Sequence, residues 1–196
     1  MTPGITVCIP TIAPRSLQLL RSVRSVAAQT MPAAAISIAV DHERQGAPAT
    51  RQRALDAVQT EWVAFLDDDD YFRPEHLEHC YQHAMDTGAD FVYSWFDVIG
   101  GTDPFPSTHF TEPFDPANPI ETTITTLVRT GLAKEVGFKE LDRGGANTGE
   151  DRFFTLGCLE AGARISHLVE RTWYWVHWGT GQPGRPGNTS GLPTRW

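Results

Sequence analysis

An α/β fold built on a largely parallel sheet is predicted by three observations. Strand-like and helix-like stretches alternate from residue 4 to residue 99, the connections between them are short, and the strand-like stretches are predominantly apolar. Strands of that kind are buried on both faces, so helices must cover both sides of the sheet. The 196 residues, 40% apolar and 20% charged, fit one globular domain with a sizeable core.

The elements follow in order. "GITVCIP" (4–10) is a β-branched apolar run stopped by Pro10, hence a strand. "RSLQLLRSVRSVAAQ" (15–29) places Leu17, Leu20, Val23 and Val26 at helical spacing. "AISIAVD" (35–41) is a second strand, "PATRQRALDAV" (48–58) a helix and "EWVAFLD" (61–67) a third strand. "RPEHLEHCYQHAMDTG" (73–88) opens with a proline and closes on a glycine, the usual asymmetry of a helix. "ADFVYSWFDVI" (89–99) is a fourth strand. Residues 100–122 are rich in Pro, Gly, Asp and Thr, which predicts an irregular loop. Beyond it come a strand at 122–129 and a helix at 149–163 capped by Asn147 or Thr148. Two short strands at 164–170 and 172–178 complete a small antiparallel C-terminal part. One domain over 1–178 is expected, followed by a flexible tail or lid at 179–196 with neither periodicity nor apolar density.

Composition narrows the function. The net charge is −8 and the basic residues are scattered, with Arg15, Arg21 and Arg24 the densest group. A generic nucleic-acid-binding surface is therefore not expected. No apolar stretch approaches the ~20 residues of a membrane span, and the N-terminus lacks a signal-peptide pattern. A soluble, cytoplasmic protein is expected. Cys8, Cys80 and Cys158 lie in separate apolar contexts and read as reduced, buried thiols.

The chemistry concentrates where "WVAFL" runs into four carboxylates, Asp67 to Asp70. Neighbouring carboxylates ~5 Å apart repel by roughly 3 kcal/mol at an effective dielectric near 20. At the end of a buried strand they stay ionised only when paired or bound to a cation. Asp41 and the Pro10–Thr11 turn also fall at strand ends, where open α/β sheets bind ligands. A solvated acidic turn is the plainer alternative.

These stretches, "ITVCIPT…LLRSVRSVAAQT", "ISIAVD", "ATRQRAL" and "WVAFLDDDDYFRPEHLE", together with "TTLVRTGLAKEVGFKEL…GEDRFFTLGCLEAGARISHL…YWVHWGTG", resemble family 2 of the inverting glycosyltransferases of GT-A (Rossmann-like) fold. The resemblance covers about residues 4 to 180. It implies a nucleotide-sugar donor, most often a UDP-sugar, a divalent Mn²⁺ or Mg²⁺, and displacement with inversion at the anomeric carbon. Asp67, Asp68 and Asp69 fill the D-x-D position, with Asp69 a metal ligand and Asp67 or Asp68 reaching the ribose or the metal's water shell. Asp41 matches the carboxylate that holds the base, Pro10 and Thr11 the turn beside the nucleotide, and Arg51 a basic residue near base or phosphates. Asp151 matches the general base and His177 a late metal ligand. From position alone, Asp151 reads first as ordinary first-turn helix chemistry, and His177 has the alternative of a half-buried histidine at a strand end. Two departures stand out: "VDHERQG" replaces the family's "DDGSxD" type of turn, and Gln52 replaces an Asn.

Two further patterns lie outside the resemblance. His76, His79, Cys80 and His83 share one helix face, a spacing that could hold zinc but more commonly makes a packed or solvated face. Trp173, Tyr174, Trp175 and Trp178 are core-filling strand alternation or a stacking platform, with Trp173 and Trp175 on one face. The acceptor is open between protein side chains, saccharides, small molecules and a modified nucleobase. Rival readings are a nucleotidyltransferase, weakened by the absence of glycine in "PTIAPRS", and a silent nucleotide-sugar-binding module.

Overall fold

The computed structural model describes residues 4–119, 122–139 and 149–177. The expected tail at 179–196, Trp178 and the cap candidates Asn147 and Thr148 lie outside these residues. The strands are β1 (Ile5–Thr11), β2 (Ala35–Val40), β3 (Trp62–Phe65), β4 (Tyr71–Phe72), β5 (Phe91–Ile99), β6 (Thr126–Arg129) and β7 (Ile165–Val176). The helices are α1 (Ser16–Ala27), α2 (Ala47–Asp56), α3 (His76–Thr87), α4 (Thr130–Val136) and α5 (Glu150–Glu160). One sheet runs in the order β2-β1-β3-β6-β5-β7-β4.

The parallel half is as expected: β1 is buried at every position and pairs in parallel with β2 on one side and β3 on the other. The strand continues through Pro10 rather than stopping there. Pro10 lies beyond Cys8, the last residue paired with β3, so its missing N–H removes no ladder bond on that side.

Four details depart from the sequence reading. First, β6 enters between β3 and β5, antiparallel to both, so the antiparallel element sits inside the sheet. Second, the two short C-terminal strands are one strand, β7, parallel to β5. Glu170 and Arg171, at the expected boundary between the two short strands, are exposed, and register shifts around Trp95 absorb the irregularity. Third, β4 and α4 have no counterpart in the pattern; β4 is only two residues long and exists because β7 offers it an edge. Fourth, Leu17 is 80% and Leu20 44% exposed, while Ser22 and Val26 of α1 are buried. The inner face of α1 lies over backbone carbonyls, and a hydroxyl serves there better than a leucine.

The largest enclosed side chains are Trp62, Trp173, Tyr93, Phe65, Phe91 and Phe96. Phe138 and Phe154 stack at 4.5 Å, and Phe65 meets both edge-on at 5.2 and 5.6 Å. Offset and edge contacts of this kind add to simple burial. They fasten the first turns of α5 to the end of β3, which fixes the site described below. All three cysteines are free and buried, as expected.

The histidine face of α3 is a seam against β7. His76 Nδ1 lies 2.7 Å from Thr172 Oγ1, His79 Nδ1 2.7 Å from Glu170 Oε2, and His83 Nε2 2.8 Å from Ser166 Oγ. Each ring has its own strand partner, and among the described residues no three candidate ligands converge on a metal position. The aromatic alternation holds: Trp173 and Trp175 both pack on Phe96, whereas Tyr174 stacks on Tyr71 at 4.7 Å.

Candidate active site

The site begins at the end of β3. Leu66 donates its N–H to Cys8 O at 3.1 Å, extending the contact with β1 to the threshold of the acidic run. The chain then turns, with Asp70 N donating to Asp67 O at 3.2 Å. Ser22 Oγ, buried on α1, lies 2.6 Å from Asp70 O and 2.9 Å from Asp68 O, so one hydroxyl ties two turn carbonyls to the helix.

This turn sends the four carboxylates to different partners. Asp67, partly open to solvent, accepts from Arg51 Nη2 at 2.7 Å. Asp68 is 1% exposed; its Oδ2 accepts from the Thr11 hydroxyl at 2.6 Å and its Oδ1 from Arg15 Nη1 at 2.7 Å. Asp69 lies 3.3 Å from the same guanidinium nitrogen. Asp70 Oδ1 accepts the Val176 N–H at 2.8 Å, which draws the end of β7 to the turn. Burial pushes Asp68 up to about 6 and Asp69 adds to that, against the pull of Arg15 and Thr11.

Arg51 on α2 forms the second half. It is fully buried, pairs with Glu150 at the start of α5, and lies 4.0 Å from Asp151 Oδ1. Its guanidinium sits over the Phe138 ring, 5.4 Å from the centroid. Phe138 is in turn held by the Gln52 side-chain carbonyl, which accepts its N–H at 2.7 Å. Gln52 thus braces the pocket wall. Asp151 keeps 35% of its side chain exposed. Desolvation raises its carboxyl to about 7 despite Arg51, and Glu150 and Asp67 push the same way. The open third of the side chain tempers that rise.

Other predicted residues are placed as follows. Asp41 is buried, with Oδ1 and Oδ2 accepting the backbone N–H groups of Gln45 and Gly46 at 2.9 and 2.8 Å. It closes the "HERQG" loop ahead of α2. Pro10 and Thr11 lie at the end of β1, and Thr11 contributes its hydroxyl to Asp68. His177 follows β7; its N–H donates to Ile99 O at 2.8 Å, its ring edges onto Trp175, and its Nε2 is buried without a protein partner among the described residues. A Cβ at Gly101 would stand 2.8 Å from His177 Nδ1, so only glycine leaves room for this ring. The structure therefore gathers Thr11, Arg51, Asp67, Asp68, Asp69 and Asp151 around one sheet edge, with His177 beyond the strand whose end Asp70 holds.

Three contributors were missed by sequence reasoning. Arg15 was noted only for its position in a loose basic group, Ser22 was hidden by an apolar periodicity count, and Glu150 was passed over for its neighbour. Arg15 had one available signal: an arginine four residues beyond a strand end is close in space to anything at the neighbouring strand's end.

A parallel sheet edge carrying an acidic turn, with a carboxylate-bearing helix start across from it, defines an α/β protein of GT-A type. The chain matches the family model for glycosyl transferase family 2 over residues 33–134, more than half its length, and belongs to that family. The match includes Asp41, Arg51 and Asp67 to Asp69. Among solved structures, a fragment of S. aureus TarS in complex with UDP-GlcNAc is similar, with a TM-score of 0.75 at 21% identity, covering 91% of this chain and 60% of that one. The same fragment with UDP gives 0.72 at 21% identity over 89% and 60% of the two chains. A longer S. aureus TarS structure gives 0.71 at 22% identity over 89% and 37%. The chain thus spans about 60% of the TarS fragment's length, and likeness at this identity shows the fold. No curated protein matches.

Proposed function

We propose that this chain transfers a glycosyl group from a nucleotide-sugar, a UDP-sugar, to an acceptor hydroxyl with inversion. The observation that carries the reading is the placement of Asp151. It stands half-open at the first turn of α5, across one buried arginine from the acidic turn at the end of β3. Family membership and the UDP-GlcNAc and UDP complexes of TarS support the donor class.

In this reading the acceptor hydroxyl gives its proton to the Asp151 carboxylate while its oxygen attacks the anomeric carbon. The bond from that carbon to the nucleoside diphosphate breaks, and the bonding pair leaves with the diphosphate. A carboxyl raised above its ordinary range suits this task, being more basic than a free carboxylate and so better able to take the proton. Arg51 keeps Glu150 turned inward and leaves Asp151 facing the open side. The buried Phe138–Phe154 stack holds that helix start in place, so the base is presented on a rigid element.

A divalent cation fits the residues present. Asp69 offers hard oxygen ligands on the acidic turn, and the Nε2 of His177, buried and without a partner among the described residues, is the kind of atom a cation would satisfy. Sites of this type use one or two protein ligands and let substrate phosphates fill the rest of the shell, so a three-residue protein cluster is not required. When bound, the cation supplies charge stabilisation to the departing diphosphate. Asp41 and the end of β1 line the side proposed for the base and ribose.

The test has two arms. Thermal shift with UDP, GDP, CDP and TDP, each with and without Mn²⁺, should show a metal-dependent shift for UDP; a ligand at ~100 times its Kd adds about 2.7 kcal/mol. UDP release from UDP-sugars should then vanish in Asp151→Asn while the UDP shift remains. Turnover surviving in Asp151→Asn would remove Asp151 from its role, and no shift with any nucleotide would overturn the donor assignment.

A further inference from the structure

The acidic turn already holds a cation of the protein's own. Arg15 ends a 3-10 turn, Ala13–Arg15, that follows β1. Its guanidinium is nearly sealed from water, with Nη1 2.7 Å from Asp68 Oδ1 and 3.3 Å from Asp69 Oδ2. The second Asp68 oxygen is taken by Thr11 at 2.6 Å. On the other side, Arg51 takes Asp67. Arg51 is divided between Asp67 and Glu150, so at Asp68 and Asp69 the Arg15 guanidinium stands as one positive charge against two carboxylates. A divalent cation approaching Asp69 meets this resident positive charge at close range, where screening by water is weak.

We propose that Arg15 is a positioning residue that sets the order of binding. By neutralising Asp68 and sharing Asp69, it keeps the acidic turn folded without a metal and makes the site a poor trap for a bare divalent ion. The diphosphate of the donor brings the negative charge that lets the cation stay, so cation and nucleotide bind together. The inference rests on the proposed role of Asp69 as metal ligand. It assigns to Arg15 a task that neither the D-x-D pattern nor the family match carries, since residue 15 lies outside the matched segment.

The experiment measures Mn²⁺ binding directly, from the electron-paramagnetic-resonance signal of free Mn²⁺, with and without UDP, in the wild-type chain, R15Q, R15K and D69N. The wild type should bind Mn²⁺ alone weakly and at least about tenfold more tightly with UDP. R15Q, which removes the charge, should bind Mn²⁺ alone about tenfold more tightly than wild type, a change of about 1.4 kcal/mol, and the gain from UDP should shrink. R15K keeps the charge and should stay within about threefold of wild type; R15M, which also lacks the charge, takes the place of R15Q if R15Q does not fold. Equal Mn²⁺ affinity in R15Q and wild type overturns the proposal, as does R15K behaving like R15Q, which would make the effect one of shape rather than charge. D69N separates the two levels. If UDP-coupled Mn²⁺ binding survives in D69N, the metal assignment itself fails. If D69N abolishes it while R15Q changes nothing, only the role of Arg15 fails.

Discussion

Replacing Arg51 with methionine removes the charge between the acidic turn and α5 while keeping an apolar stem against Phe138. Three carboxylates then lose their counter-charge, but unequally. Asp67 is open enough for water to take over much of the loss, as is Asp151, whereas Glu150 is only 13% exposed. Breaking a buried pair from one side typically costs 3–5 kcal/mol because the partner is left buried and unpaired. The cation–π contact with Phe138 goes as well, worth about 0.5–2 kcal/mol. Since the methionine stem recovers some packing and Asp67 is half-solvated, a net loss of about 3 kcal/mol is expected. For a chain of this size that lowers Tm by roughly 6–12 °C. The assay is urea unfolding followed by tryptophan fluorescence, at pH 7.5, for R51M, E150Q and the double variant. E150Q removes the stranded charge, so R51M/E150Q should recover at least about 1.5 kcal/mol relative to R51M, a coupling in the range seen for contacting residues. A single variant within about 1 kcal/mol of wild type, or a double variant no better than R51M, would refute the ion-pair account of how α5 is held.

Two other predictions follow from buried polar groups. Burial, with a smaller contribution from His79, pushes His76 down to about 3 from an unfolded value of 6.5. The unfolded chain therefore binds the extra proton, and this residue's contribution to stability is complete above pH 6.5 and erodes below it, by about 2 kcal/mol at pH 5; H76N should show a correspondingly shallower fall in urea-unfolding free energy between pH 7 and 5, and an unchanged slope would exclude His76 as its source. Ser22→Ala strips the donor from the carbonyls of Asp68 and Asp70, and leaving buried acceptors unmade costs about 1–3 kcal/mol. The same unfolding assay reads it, and a loss below about 0.5 kcal/mol would mean that the turn is held by its carboxylates alone.

Much of the fold was legible because strand and helix periods are local properties. The runs 4–10, 35–41, 61–67 and 89–99 became β1, β2, β3 and β5, and Gly88 closes α3 in the left-handed conformation its position required (φ 66°). What could not be read was which strands become neighbours. A strand of four residues, β6, carries no mark saying that it will enter between β3 and β5, and two-residue β4 has no period at all. The α1 misreading has the same origin. Leu17 and Leu20 have helical spacing, yet the face that turns inward is chosen by what it meets, and it meets the carbonyls of the acidic turn.

The candidate site divides in the same way. Residue types and their places at strand ends marked Asp41, Asp67, Asp68 and Asp69, because a chain does not load like charge onto a buried edge without a counter-charge; Asp151, at a helix start, was marked only by the family resemblance. The sequence by itself determined that a counter-charge was needed and that the carboxylates lie at the ends of a parallel sheet. Only the tertiary structure decided who answers it: Arg15 for Asp68 and Asp69, Arg51 for Asp67 and Glu150, a backbone amide of β7 for Asp70. The physical reason is that repulsion among neighbours in sequence is a local quantity, whereas the groups that relieve it come from 16 to 106 residues away along the chain, and chain separation says nothing about distance until the sheet has formed.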